Sequence, residues 1–187
     1  MRRAWLLLLC ALGPHARAEP VEYTLDPAHS FAYFELLHFG TSTIRGRIGP
    51  LSGGVMLDRS AAKGSVGLAI ATATVDTGVK AFDARIREPD LLASAAFAQA
   101  YFVAERFRFD GDRLTEVRGE FTLRGVSRPL SLNALRFGCY QSPQFQREVC
   151  GGDFAAEFDR SEFGIHFGLP FVGNRVRLLI QVEGVSP

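Results

Sequence analysis

Three histidines and two cysteines are the side chains of residues 19–187 from which chemistry would start. His29 and His38 lie nine positions apart in H-S-F-A-Y-F-E-L-L-H-F, and His166 stands apart from both. On one continuous strand an odd separation sends two side chains to opposite faces. Nine residues at about 3.3 Å each also hold them roughly 30 Å apart. These two histidines therefore do not share a metal. They read as hydrogen-bonding groups, His29 at a turn or strand end and His38 beside a buried polar group. Cys139 and Cys150 bracket the polar stretch Y-Q-S-P-Q-F-Q-R-E-V. The spacing is far from C-x-x-C and no histidine is near, which argues against a redox or zinc motif. In an oxidising compartment the two pair, and a bridge closing so short a loop stabilises by about 3 kcal/mol. The chain has no H-E-x-x-H, no G-x-S-x-G and no Walker loop, so no nucleophile–base pair or metalloprotease site is legible.

The elements that would hold these groups are strands. Val21–Asp26 is the first, ended by Asp26-Pro27. His29–Phe39 is the second, with Ala32, Phe34 and Leu36 on one face and Phe31, Tyr33 and Leu37 on the other. A strand apolar on both faces is covered twice or lines a cavity. Residues 44–58 are strand-like but interrupted by Gly46, Gly49-Pro50 and Gly53-Gly54, the marks of bulges and bends in a closing sheet. Residues 64–76 alternate again. Val79, Phe82 and Ile86 then switch to helical spacing, in a helix stopped at Pro89. Leu91–Ala100 adds a second helical turn, and Tyr101–Phe109 returns to period two. In 119–130, Gly119, Phe121 and Leu123 alternate with polar residues, and Gly125–Arg128 forms a four-residue connection to a strand opened by Pro129. Phe154, Ala156 and Phe158 share a face, and residues 172–183 alternate cleanly. Eight strands with one helical interruption predict an all-β fold with one or two short helices, an antiparallel eight-stranded barrel. A β-sandwich is the alternative, disfavoured by the long, glycine-bent strands.

The ends and the composition narrow the function classes. Arg2-Arg3, the apolar run to Leu12 and Ala16-Arg17-Ala18 read as a signal peptide over residues 1–18. Residues 19–187 then form a single domain of 187 − 18 = 169 residues. That segment carries 18 basic and 20 acidic residues, because Arg2, Arg3 and Arg17 leave with the leader. A net of −2 gives no reason to expect a nucleic-acid partner. Sixteen Phe against four Tyr and one Trp describe either an ordinary β core or an unusually apolar cavity wall.

Several motifs, in order, resemble those of the YceI family. G-E-F-T-L-R-G-V-S-R-P at 119–129 resembles its G-x-L-T-x-x-G-V-T-x-P, with Phe121 and Ser127 as departures. Asp26-Pro27-Ala28-His29-Ser30 resembles its D-x-x-H-S, and Gly46 and Gly53 match its glycines although Ile48 and Leu51 replace aromatics. Thr77-Gly78 resembles its T-G. Arg87, Leu91, Ser94 and Phe97 resemble R-D-x-H-L-x-S-x-x-F, with Glu88 for Asp and Asp90 for His. Arg160-Ser161-Glu162-Phe163-Gly164 resembles R-S-D-F-G. The Tyr-Pro usual after the helical segment is absent; Tyr101-Phe102 stands near that place.

The resemblance implies a lipocalin-like barrel exported to the periplasm. It implies a bound polyisoprenoid, isoprenoid quinone or similar long lipid, no other cofactor, no metal and no catalysis. On that expectation a deep apolar tunnel is lined by Phe34, Leu36, Phe121, Leu123 and Phe158. Phe163, Leu91 and Phe97 then lie near its mouth, and His38, Arg87 or Arg160 meets the head group. With the strand phase reversed, Tyr33 and Leu37 replace Phe34 and Leu36. Arg87 and Arg160 read equally as structural partners of a carboxylate at the rim. An enzyme on the same barrel and a partner module for a membrane electron-transfer protein are the other functional readings. Oligomeric state, a dimer included, is left open.

Overall fold

The computed structural model describes residues 19–187. The signal-peptide reading of residues 1–18 lies outside them. Ten strands and one α-helix follow in the order β1 (Val21–Leu25), β2 (Phe31–His38), β3 (Ser42–Ile48), β4 (Leu51–Asp58), β5 (Lys63–Ala71), α1 (Lys80–Ile86), β6 (Gln99–Asp110), β7 (Arg113–Leu123), β8 (Val126–Ser142), β9 (Arg147–Asp159) and β10 (Arg175–Val185). All named pairings are antiparallel, and β1 closes the sheet on β10 through Thr24 opposite Val185 and Leu25 opposite Gly184. β1 and β2 act as one wall strand bent at Asp26–Ser30, and β3 and β4 as another bent at Gly49-Pro50. Leu51 N donates to Ser30 O across the two bends (2.8 Å). The result is the expected closed eight-stranded barrel.

The two ends of the barrel differ. One is tied by tight hairpins at 59–62, 111–112 and 143–146, with both termini of the barrel beside them. The other carries the β2–β3 tip, the β7–β8 turn and two long connections, 72–98 and 160–174. α1 sits in the first of these. Among the described residues β3 pairs only with β2; its free side is met by Asp76, whose N–H and C=O exchange hydrogen bonds with Arg47 (2.9 and 2.8 Å).

The 119–130 hairpin is tighter than its sequence predicts. Leu123 pairs with Val126, so the turn is Arg124-Gly125 alone and not the four residues Gly125–Arg128. Both turn residues have positive φ, 52° and 73°, as a two-residue type I′ turn requires for strands of right-handed twist. Pro129 lies opposite Glu120, within the strand, before β9 begins to pair with β8 at Asn133. In this register its missing N–H points away from β7, so no ladder bond is lost.

The Cys139–Cys150 stretch is likewise hairpin rather than loop. β8 continues to Ser142 and β9 resumes at Arg147, with the cysteines directly opposite and disulfide-bonded, Cα–Cα 4.1 Å. Glycines at 138, 151 and 152 interrupt the alternation of β8 and β9 in this part. Leu91–Ala100 does not form a second helix. It folds as successive turns in which Leu92 N–H reaches Ile86 O, Ser94 N–H reaches Arg87 O and Phe97 N–H reaches Ala93 O (2.9, 3.0 and 2.9 Å).

Gly125 is needed on two counts, its φ and its neighbour: a Cβ there would stand 3.2 Å from Phe97 Cε1. Gly125→Ala is expected to destabilise by about 1–3 kcal/mol, read from urea unfolding with unchanged far-UV circular dichroism. An unshifted midpoint would show that the turn relaxes freely.

Candidate functional site

The open end of the barrel leads into a cavity of about 300 Å³. β2 contributes Ala32, Phe34, Leu36 and His38 to its wall, which fixes the strand phase; Tyr33 and Leu37 face outward and are exposed. Phe34 lies opposite Gly46 on β3, and a Cβ at Gly46 would sit 2.4 Å from the Phe34 ring. The glycine is what lets that ring lie flat against the wall. Leu51, Leu68, Phe102, Phe121, Leu123, Leu130, Leu132, Phe158, Leu178 and Ile180 continue the lining around the barrel. Toward the hairpin end a second apolar cavity of about 70 Å³ follows. Leu68, Phe102, Leu132 and Ile180 line both and form the partition between them.

The lining is almost wholly apolar. Among the described residues His38, Thr72, Arg85 and Arg160 are its only polar side chains, and Thr72 Oγ1 is already donating to Phe97 O (2.7 Å). Arg160 is 4 % exposed. Its Nε, Nη1 and Nη2 donate to the backbone carbonyls of Gly173, Ile165 and Val172 (2.8, 3.2 and 3.0 Å). No carboxylate pairs with it among the described residues. Burial pushes its pKa below the ordinary guanidinium value, because a desolvated cation is disfavoured. The side chain ties the start of the 160–174 connection to its later residues.

The structure separates the remaining sequence-predicted residues. Leu91 lines the cavity. Phe163 does not: it is fully buried behind the wall, with its ring 5.5 Å from Phe121 and 5.2 Å from Phe158 in edge-on packing. Phe97 lies under the Arg124-Gly125 turn. Arg87 also stands outside the lining and donates to Ala73 O (3.1 Å). The arginine at the mouth is Arg85, unremarked in the sequence. Both of its Nη atoms reach Asp90, each at 2.6 Å, and its guanidinium lies 4.2 Å from the centre of the Phe167 ring. Asp90, the departure from the family's usual His, is thus its counter-ion. A five-residue separation is not a regular helical spacing, so nothing in the pattern marked this pair.

The cover over the mouth is α1 with the turns after it. Phe82 and Ile86 line the cavity, whereas Val79 is exposed. Asp83 accepts hydrogen bonds from Thr77 N–H and Oγ1–H (2.7 and 2.6 Å), which anchors the helix start and holds the Asp83 carboxyl below its ordinary pKa. Arg124 Nη1 donates to the carbonyls of Pro89 (2.8 Å) and Leu91. The β7–β8 turn therefore clamps the cover.

His29 is not on the strand with His38. It sits in the Asp26–Ser30 bend, exposed, with Nδ1 2.6 Å from Asp26 Oδ2. His166 is exposed too. The hydrogen bond to Asp26 raises the His29 pKa. The same bond, with Ala28 N–H second, lowers that of Asp26. A raised imidazole stabilises below its unfolded pKa, and a lowered carboxyl stabilises above its own. The pair's contribution is therefore complete between about pH 4 and 6.5 and fades as pH leaves that window on either side. Histidine NMR titration is expected to find His29 titrating above the ordinary imidazole value and returning to it in Asp26→Asn. An unmoved His29 in that variant would show the contact to be absent in solution.

Known proteins match this geometry and sequence. A family model described as YceI-like domain matches residues 23–184. Protein YceI of Escherichia coli O157:H7 is 30 % identical over 172 residues, covering 90 % of this chain and 89 % of that one. A UPF0312 protein of Shewanella baltica (strain OS185) is 33 % identical over 179 residues, covering 93 % and 92 %. Among solved structures, Burkholderia cenocepacia BcnA superposes with a TM-score of 0.71 at 19 % identity, covering 85 % of this chain and 98 % of its own. A polyisoprenoid binding domain from Saccharophagus degradans, implicated in plant cell wall breakdown, gives 0.65 at 20 % identity, with 89 % and 99 % coverage.

Proposed function

This chain belongs to the YceI-like domain family, and on that premise we propose that it is a non-catalytic carrier of one long apolar chain, an isoprenoid lipid or the tail of an isoprenoid quinone. The observation that carries the reading is the cavity wall, apolar except for four side chains, three of which (Thr72, Arg85 and Arg160) already have partners within the protein. A wall of this kind discriminates against polar ligands, which would lose hydrogen bonds to water and find no replacement. For an alkyl or isoprenoid tail each CH₂ taken from water is worth about 0.8 kcal/mol, so few polar contacts are needed. The fold neighbour from Saccharophagus degradans, named as a polyisoprenoid binding domain, supports the same ligand class. His38 and the Arg85–Asp90 pair lie at the mouth and are the groups placed to meet a head group. Arg160 is better explained as a strap, since three of its N–H groups are taken by backbone carbonyls.

The expected outcome of organic extraction and mass spectrometry on purified protein is a stoichiometric isoprenoid species. Phe34→Asp is expected to abolish its recovery while the β signal in circular dichroism persists. A clean extract from the unaltered protein would overturn the reading.

Export is part of the proposal. The Ala16-Arg17-Ala18 site places the mature N-terminus at Glu19, and the Cys139–Cys150 bridge fits an oxidising compartment such as the periplasm. Intact-mass measurement of the periplasmic fraction is expected to find a chain starting at Glu19 with both cysteines oxidised. A chain retaining Met1 would refute this.

A further inference from the structure

The mouth of the cavity is bordered by an exposed apolar rim that nothing above uses. Leu37 at the end of β2 is 51 % exposed, Phe39 at the β2–β3 tip 58 %, and Phe167 and Phe171 in the 160–174 connection 51 % and 62 %. They form one surface. Phe39 and Phe171 stack with centroids 5.5 Å apart. Phe39 N–H donates to Phe171 O, and Gly173 N–H to Leu37 O, each at 2.7 Å. His38 bridges to Val172 between them, and His38, Val172 and Phe167 line the cavity itself. The rim is therefore continuous with the inner wall. Phe39 and Phe171 are joined by a backbone bond and Phe167 is met by Arg85, so their exposure is built in and not the result of a loose tip.

We propose that this rim docks the open end of the barrel on a phospholipid bilayer, with Phe39, Phe171, Phe167 and Leu37 entering the interfacial region. Contiguous exposed aromatics on a folded domain mark an interaction surface, and shallow insertion of such side chains is how peripheral proteins hold a membrane. The bilayer is the occupant because the rim opens into the apolar cavity. A tail leaving the membrane there would stay in apolar surroundings all the way to Phe34 and Phe121. This choice rests on the lipid-carrier reading. The cation beside Phe167, Arg85, is neutralised by Asp90, and the next outward side chain along β2 from Leu37 is Glu35, paired with Arg45 and Arg177. Docking is accordingly apolar rather than electrostatic, and it does not require anionic lipid.

The test uses the chain from Glu19 onward, which contains every strand of the closed barrel. It has no tryptophan, so Phe171→Trp supplies a single reporter. On phosphatidylcholine vesicles its emission is expected to shift to the blue and to be quenched by brominated acyl chains. Salt at about 1 M, where the Debye length is about 3 Å, is expected to leave the shift in place. Adding Phe39→Ser and Leu37→Ser is expected to weaken partitioning by about tenfold or more. Leu135→Trp, 60 % exposed on the outer face of β8, is ten residues and roughly 33 Å along the strand from the Arg124-Gly125 turn and should not respond. The reporter reads docking whether or not a tail is bound, so failure here is separable from a clean lipid extract. An unshifted Phe171→Trp would overturn the proposal. So would an equal shift at Leu135→Trp. A shift that grows with protein concentration without vesicles would assign the rim to a second copy of the chain instead.

Discussion

Closure of the sheet is the constraint on which everything else rests. An antiparallel sheet has two edges of unpaired N–H and C=O groups, and this one removes most of them by pairing β1 with β10. Closure of eight strands also fixes the width of the interior, which must then be filled by side chains or left for a ligand. At the hairpin end Tyr23, Leu57, Cys150 and their neighbours pack together. There Tyr23 donates its hydroxyl hydrogen bond to Glu148 (2.5 Å), and burial, with that bond second, pushes its pKa up to about 12. At the open end the wall residues point inward around a space they do not fill.

The β2–β3 hairpin, set off from β4 by Gly49-Pro50, forms part of the wall of that space. β4 turns to pair with β5, while β3 keeps only β2 and its contact with Asp76. Its free side is met by Asp76, and α1 with the following turns lines the cavity mouth. Their attachments are polar: the Thr77–Asp83 bonds at the helix start and Arg124 on the carbonyls of Pro89 and Leu91. Arg160 ties the 160–174 connection together from within. Charged donors on backbone carbonyls satisfy groups that no sheet ladder reaches. They also leave the inner surface free of carboxylates, so a ligand tail meets no unpaired charge of that sign.

Much of this architecture was written in local pattern. Period-two alternation located the strands, the i, i+3, i+4 spacing of Phe82 and Ile86 located the helix, and glycines at 46, 49 and 53 marked where the wall bends. Motif order identified the family, and Phe121 with Leu123, and Phe158, were legible as members of apolar strand faces, whereas for Phe34 and Leu36 both phases of β2 stayed open. The cysteine pair was legible from its short polar spacing on the expectation of export.

What tertiary structure alone decided follows from distances that sequence does not contain. A strand apolar on both faces, like H-S-F-A-Y-F-E-L-L-H-F, leaves its phase undetermined; packing against Gly46 turned Phe34 inward and Tyr33 outward. Arg124, Arg160 and Arg85 are chemically alike and all near matched motifs. Their partners lie 33 to 35, 5 to 13 and 5 residues away, so no local rule assigns one to a turn clamp, one to a loop strap and one to the mouth. His29 stands before the strand because the Asp26–Ser30 bend, with its Asp26 hydrogen bond, precedes a β2 that begins only at Phe31. Sequence periodicity reports which face a residue shares with its neighbours in the chain. Which faces meet is set by barrel closure, a property of residues more than a hundred and fifty positions apart, as Thr24 and Val185 are.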